Sequence, residues 1–329
     1  MDRTITYVIE KQYEGMEIKD FLKVKKYSSG LISNQKHFED GIMHNGKRAY
    51  VSEKLIQGDI VTINIHEPTC SEKIPPVYKD IDILYEDEDL IVVNKPSDMP
   101  VHPSLNNYEN TLANALAYYY QNNGLKFVFR CMNRLDRNTS GTVLIAKNPL
   151  SGALLSKMIK ERSIKKEYIA VVEGNIRNYI FENSKLENKK HENDYNNLEN
   201  VDTFTIDANI ARVDGSTILR KVDAVKGERA ITHVTVLDVI NEGKNSVVCC
   251  NLETGRTHQI RVHLSSIGYP LVGDGLYNEK YEDNVLHRHL LHCRKLEFIH
   301  PVTNVPLSIA APFPEDMSFL KYLFNNSKN

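Results

Sequence analysis

Cysteine is sparse: Cys70, Cys131, Cys249, Cys250 and Cys293 are odd in number, scattered, and form no C-x-x-C pair. That pattern argues for reduced thiols and against a disulfide framework, and Cys249-Cys250 in an apolar stretch reads as strand packing. Long apolar runs are missing as well. The longest, such as Leu90 to Val93, fall far short of the roughly 20 residues that cross a bilayer, so no membrane partner is expected. The opening Met1-Asp2-Arg3-Thr4-Ile5-Thr6-Tyr7 has no basic start followed by an apolar stretch, which predicts no signal peptide and a cytoplasmic location. Net charge of either sign is nearly absent, with 41 Lys and Arg against 43 Asp and Glu. Taken alone, that balance argues against a nucleic-acid partner.

The distribution of charge reverses this impression. Between Lys126 and Lys166 ten basic residues stand against only Asp136 and Glu161, the footprint of a phosphate-binding face. A solvated helix surface is the plainer alternative. The acidic excess that masks this segment sits in residues 175–202, which are rich in Asn, Glu and Lys and too polar to form a core. They are expected to be an exposed insertion.

With 329 residues the chain has room for two domains, at roughly 100–200 residues each. Residues 1–66 predict a short strand, a helix at 16–24 with Ile18, Phe21 and Leu22 on one face, and a second helix at 32–39 ended by Gly41. Hairpins follow, with an Asn45-Gly46 turn and a strand after Gly58-Asp59. The prolines and polar residues of 67–80 read as a linker. From 81 to 329 strand patterns dominate, separated by helical ones at 112–121, 150–161, 258–266 and 315–324. The class expected is α+β, a small N-terminal domain followed by a mixed, mainly antiparallel sheet with flanking helices.

Chemistry concentrates in Asn133-Arg134-Leu135-Asp136-Arg137-Asn138-Thr139-Ser140-Gly141, which runs into an apolar strand. A carboxylate between guanidinium groups is favoured in its charged form and can serve as nucleophile or base. An isolated R-x-D is more often a surface salt-bridge loop. His258 and His263 are too far round a helix to share a metal, and no acidic residue follows at zincin spacing. The stretch His287-Arg288-His289-Leu290-Leu291-His292-Cys293 offers more candidate ligands, although strand alternation accounts for most of it. No metal is expected.

Arg134 to Gly141, as R-L-D-x-x-T-S-G, resembles the catalytic-aspartate motif of the pseudouridine synthases that modify large-subunit ribosomal RNA, the RluA/RluD group. Glu253 to Leu264, E-T-G-R-T-H-Q-I-R-V-H-L, matches a second signature of that group without a gap. Asp89 to Pro96 with Val101-His102-Pro103 resembles its opening strand and K-P loop. Residues 5–66 are similar to the S4 RNA-binding domain through Ile42 to Lys47 and Gly58-Asp59-Ile60-Val61, with His44 in place of an apolar residue. Together the resemblance spans most of residues 5–315.

The resemblance implies isomerisation of uridine to pseudouridine in structured RNA, ribosomal RNA foremost and transfer RNA as the alternative, by a monomer without cofactor or metal. It implies that Asp136 acts in breaking the N1–C1′ bond and rejoining the ring through C5. Tyr168 would stack on the target base and act in proton transfer, Arg261 would pair with the carboxylate, and Ile260 would wall the base pocket. Arg134 would fill the space of an everted nucleotide. Lys95, Lys166, Arg256, His258 and Gln259 would contact the RNA. Asn133 stands where the group commonly has His, so any step needing an imidazole there is in doubt. Two other classes compete: an RNA-binding protein that has lost catalysis, and a hydrolase or phosphotransferase. The latter lacks a Walker loop and a second carboxylate near Asp136 in sequence.

Overall fold

The computed structural model describes residues 1–105, 107–188, 202–279, 281 and 286–325. Its first sheet comes from β1 (Arg3–Val8), β2 (Ile42–His44), β3 (Lys47–Arg48) and β4 (Ile60–Ile65), in the order β1-β4-β2-β3 with every pair antiparallel. Asn45 and Gly46 both take positive φ, 49° and 77°, as a two-residue hairpin between β2 and β3 requires. Helix α1 (Ile18–Val24) buries Ile18, Phe21 and Leu22, as their spacing predicts.

Helix α2 (Ser29–Gln35) lies earlier than the 32–39 expected. Ser28 starts it by accepting from Leu31 N at 3.1 Å, and at its end the Gln35 side chain turns to accept from His66 N at 3.0 Å. Gly41 is not its cap. It is required because a Cβ there would collide with the Gln35 carbonyl.

His44 bridges this unit's turns, with Nδ1 2.9 Å from Glu53 and Nε2 2.8 Å from Asp59. Burial alone would lower its pKa, but the two carboxylate hydrogen bonds outweigh that and raise it above 6.5. A raised histidine contributes stability that is fully present below the ordinary value and lost as pH climbs through the folded one. Stability to urea, followed by a probe in residues 1–66, should therefore fall as pH rises above 6.5. His44→Leu should flatten that slope.

The second sheet contains ten strands: β5 (Asp82–Glu86), β6 (Leu90–Lys95), β7 (Arg130–Cys131), β8 (Ser140–Ala146), β9 (Lys165–Glu173), β10 (Thr203–Asp207), and β13 (Ile231–Ile240), β14 (Asn245–Leu252), β15 (Leu291–Ile299) and β16 (Pro306–Ala310). A small hairpin of β11 (Ile210–Arg212) and β12 (Arg220–Val222) stands apart from it. The main order is β10-β13-β14-β9-β15-β8-β6-β5, with β16 on β15 and β7 on β8. β15 and β8 run parallel and the other pairs are antiparallel, which is the mixed, mainly antiparallel α+β architecture expected. At the parallel pair Gly141, with φ +115°, faces Cys293 so closely that any Cβ would overlap its backbone.

Helices α3 (Leu112–Asn122) and α4 (Pro149–Lys160) flank this sheet, each opened by a reciprocal capping box, at Thr111 and at Asn148. Leu150 and Leu154 of α4 also join the apolar cluster of the N-terminal sheet, and Arg3 reaches Asp89 with two bonds of 3.1 and 3.2 Å. Within residues 67–80, Glu67 is buried on Arg130, and Asn114 Nδ2 donates to Pro75 O at 2.7 Å.

The expected exposed insertion begins as helix α5 (Arg177–Asn188). Ile176 is fully buried just before it, and Tyr179 and Ile180 pack on the main core. The rest of that segment, 189–201, lies outside the described residues. The helix expected at 315–324 is a 3-10 helix (Glu315–Lys321) followed by one α turn, with Met317 and Leu320 buried. Among the described residues no helix is long and apolar enough to cross a membrane.

Candidate active site

The loop after β7 is tied down almost atom by atom. Asn133 donates through Nδ2 to Thr142 O at 3.1 Å and accepts at Oδ1 from Leu144 N at 2.8 Å, so its amide extends the edge of β8 and is spent there. Thr139 N donates to Asp136 O at 3.1 Å, closing a turn that leaves the Asp136 side chain 20% exposed. Thr139 and Ser140 hydroxyls bond the rings of His289 (2.8 Å) and His292 (2.9 Å). Burial pushes those imidazoles down to about 3 and about 4, so both are neutral posts under the loop. Arg288 donates to Asn138 O at 3.2 Å while paired to Asp316. The histidine-rich stretch 287–293 thus serves to anchor the Asp136 loop.

Arg137 pairs with Asp98 at 2.7 Å and Arg134 is exposed, so neither flanking arginine is ion-paired to Asp136. The cation that meets it comes from α6 (Gln259–Ser266): Arg261 Nη1 donates to Asp136 Oδ2 at 3.3 Å. This contact is one-handed because Asp274 takes the rest of the guanidinium, at 2.8 Å from Nε and 2.7 Å from Nη2. Tyr277 lies against Arg261, with Cζ 5.0 Å from the ring centre. His258, at the start of α6, completes the group with Nε2 3.8 Å from Asp136 Oδ2.

Tyr168 is 6% exposed, and burial raises its phenol well above the usual value, so it enters the site protonated. Its hydroxyl meets the Cys293 sulfur, which also receives the Thr142 hydroxyl at 3.1 Å. Tyr168, Ile260, Asp136, Arg134, Lys166 and Arg261 all line one cleft of about 340 Å³, within the size of small-ligand sites. Arg256 and His258 line it too, with Arg256 ion-paired to Glu228.

Two residues expected to contact RNA are otherwise engaged. Lys95 is fully buried outside the cleft, and its Nζ donates to Pro96 O (2.7 Å), Met99 O (2.8 Å) and Arg137 O (3.1 Å). It fastens the K-P loop to the Asp136 loop. Gln259 reaches the cleft wall, but its amide is consumed: Nε2 donates to Ile231 O and Thr232 Oγ1, and Oε1 accepts from Thr254 Oγ1 and Arg256 N. Its work is to join α6 to β13.

Sequence reading missed Asp274 and Tyr277. A signal exists in Gly273-Asp274-Gly275, since Gly273 takes φ +77° against Arg288 O, a turn that no other residue fits. A second carboxylate does lie in the cleft, Glu253, but it is held by Arg162 at 3.0 Å and His233 at 2.8 Å. Each of its two oxygens already holds one of these partners.

The Asp136 loop thus enters the mixed sheet where β8 runs parallel to β15. The chain is similar to the human RNA pseudouridylate synthase domain containing 1 structure, with a TM-score of 0.54 and 26% identity over 73% of this chain and 86% of that one. A family model described as RNA pseudouridylate synthase matches residues 89–266. The RNA pseudouridine synthase YhcT of Bacillus subtilis (strain 168) is 34% identical over 97% of this chain and 96% of its own length. Ribosomal large subunit pseudouridine synthase D of Zymomonas mobilis is 33% identical over 88% of each. The chain belongs to the RNA pseudouridylate synthase family and is an RNA-modifying enzyme.

Proposed function

We propose that this enzyme isomerises specific uridines of large-subunit ribosomal RNA, with Asp136 as the catalytic carboxylate. One observation carries the reading: a partly exposed carboxylate opens on a cleft walled by Tyr168 and Ile260 and shares Arg261 with a buried acid. In this reading Tyr168 stacks on the everted base, Arg261 orients Asp136, and Arg134 enters the vacated stack. Arg256, His258 and Lys166 face the nucleotide. Residues 1–66 act as an S4-like RNA-docking domain beside a catalytic domain from residue 81, the whole working as a cytoplasmic monomer. The reaction is a rearrangement within one nucleotide, so substrate and product balance without cofactor. The ribosomal target rests on relatives such as the Zymomonas mobilis protein.

Incubating the enzyme with unmodified ribosomal and transfer RNA, then mapping pseudouridine by carbodiimide and reverse transcription, tests this. New sites in large-subunit RNA are expected. Sites in transfer RNA alone would move the target, and none in either would sink the proposal.

Lys165 and Lys166 separate under this reading. Adjacent strand residues face opposite ways, so Lys166 lines the cleft while Lys165 lies across from Glu297 in the neighbouring strand. Lys166→Glu should weaken RNA binding and lower the slope of log affinity against log salt by about 1. Lys165→Glu should change neither by much, and filter binding between 50 and 200 mM salt, on the order of the range where such slopes are read, distinguishes them.

A further inference from the structure

We propose that His258 is a further catalytic residue: a neutral imidazole whose Nε2–H donates to the uracil ring while that ring carries the negative charge of the broken N1–C1′ bond. The inference rests on the reading of Asp136 as the reacting carboxylate.

The backbone at His258 is left-handed, with φ 58° and ψ 21°, a region few non-glycine residues occupy. Although it sits at the helix start, its side chain makes no capping bond to α6. The ring turns away from the helix, with Nδ1 2.7 Å from Tyr277 Oη. Strain of this kind persists where surrounding structure holds a side chain in a set place.

Hydrogen-bond counting sets the tautomer. Arg220 N–H donates to Tyr277 Oη at 3.0 Å, so that oxygen already accepts from one side. A phenol has one proton to give, and among the described residues the acceptor beside it is His258 Nδ1. With Tyr277 O–H donating to Nδ1, the imidazole proton lies on Nε2. The opposite tautomer would leave an Nε2 lone pair facing Asp136 Oδ2 at 3.8 Å with no proton between them.

The same distance leaves this donor unspent. At 3.8 Å the contact with Asp136 is longer than a hydrogen bond. Of the other cleft donors, Arg261 is committed to Asp274, Arg162 to Glu253, Arg256 to Glu228, and Gln259 to β13 and the turn before α6, which leaves Arg134 and Lys166 along with His258. Burial lowers the His258 pKa, with Arg261 and Arg220 acting in the same direction and Asp136 and Asp274 opposing, so the ring is neutral at pH 7. A neutral donor suits this place, because a second cation beside Asp136 would compete for the carboxylate the reaction needs.

The isomerisation supplies an anion for it. As N1–C1′ breaks, the bonding pair leaves with the uracil ring and spreads over N1 and the carbonyl oxygens. The ring then attacks C1′ through C5, the C5 proton departs, and N1 takes one up, so no proton is gained or lost overall. Hydrogen bonds to a charged partner are roughly twice as strong as neutral ones. The Nε2–H therefore binds the ring more tightly in the anionic state than before or after it, which is the condition for acceleration.

The test compares His258→Asn, His258→Gln and Tyr277→Phe on RNA carrying uridine at the target, with the pseudouridine formed quantified by chromatography. Asn accepts a left-handed backbone, so loss of activity in His258→Asn is not loss of the turn, but its amide is too short to reach the ring. A fall in kcat of about 10²-fold with little change in KM is expected, as for removal of one oxyanion donor. Gln, whose amide reaches as far as Nε2, should recover a large part of that loss. Tyr277→Phe should lower kcat by about tenfold, since the phenol no longer sets which nitrogen is protonated. A His258→Asn enzyme within threefold of the parent, or a His258→Gln enzyme no faster than His258→Asn, would overturn the role of His258. An active Asp136→Asn enzyme would instead overturn the reading beneath it.

Discussion

Asp136→Asn is expected to abolish tritium release from C5-labelled uridine in RNA, with the variant still binding that RNA within a few fold of the parent. The loss is expected to exceed 10⁴-fold in kcat, about 5.5 kcal/mol of transition-state stabilisation at 1.36 kcal/mol per decade. Asn keeps the shape of the side chain and removes its charge, leaving no group at that position to act as nucleophile or base. The fold should tolerate the change. Asp136 is 20% exposed and holds Arg261 by one contact of 3.3 Å, whereas the loop around it is fixed by Thr139, Ser140 and backbone groups. Partly exposed ion pairs of this kind contribute about 1 kcal/mol or less. A melting temperature near that of the parent together with lost turnover is the expected pairing of results. Turnover above about a hundredth of the parent rate, a barrier increase of under about 3 kcal/mol, would remove Asp136 from the chemistry.

Local patterns carried most of what could be read in advance. Helix α1 and the Asn45-Gly46 turn are set by residues next to one another, and so are the signatures around Asp136 and Arg261. Features settled by distant residues were not legible. Lys95 and Gln259 sit inside strong motifs, yet a motif does not say whether a polar side chain faces substrate or is used up on backbone carbonyls. Arg261 likewise looked like the partner of Asp136 alone, because the acid that takes most of it lies 13 residues on, in a turn with no periodicity. The start of α5 was hidden for another reason. Its polar composition averages out Ile176, Tyr179 and Ile180, which suffice to seat one helical face on the core. The short β11–β12 hairpin and strand β10 have too few apolar residues to stand out from turns.

Asp274→Ala should be the most destabilising of the cleft substitutions, at about 3–5 kcal/mol, because it strips one partner from a buried ion pair and leaves the other charge uncompensated. Asp274 is fully buried, and its two oxygens take both Arg261 bonds as well as Leu276 N at 3.0 Å and Tyr277 N at 3.3 Å. Burial works to raise its pKa, but the Arg261 bonds and charge outweigh it, and the carboxyl ends below 3.8. A carboxylate with a depressed folded pKa contributes stability above its unfolded value and loses it as pH falls through the folded one. Urea unfolding should therefore show the full gap between parent and variant at pH 7, and a narrowing gap below pH 3.8. Catalysis should suffer separately from stability. Freed from Asp274, the Arg261 guanidinium can close on Asp136 with two bonds instead of one, holding the carboxylate more tightly in its resting state than the reaction allows. At a temperature where the variant is fully folded, kcat should then fall at least tenfold, about 1.4 kcal/mol, while RNA affinity holds. Unchanged kcat in folded Asp274→Ala would mean that the shared guanidinium braces the fold and leaves Asp136 untouched.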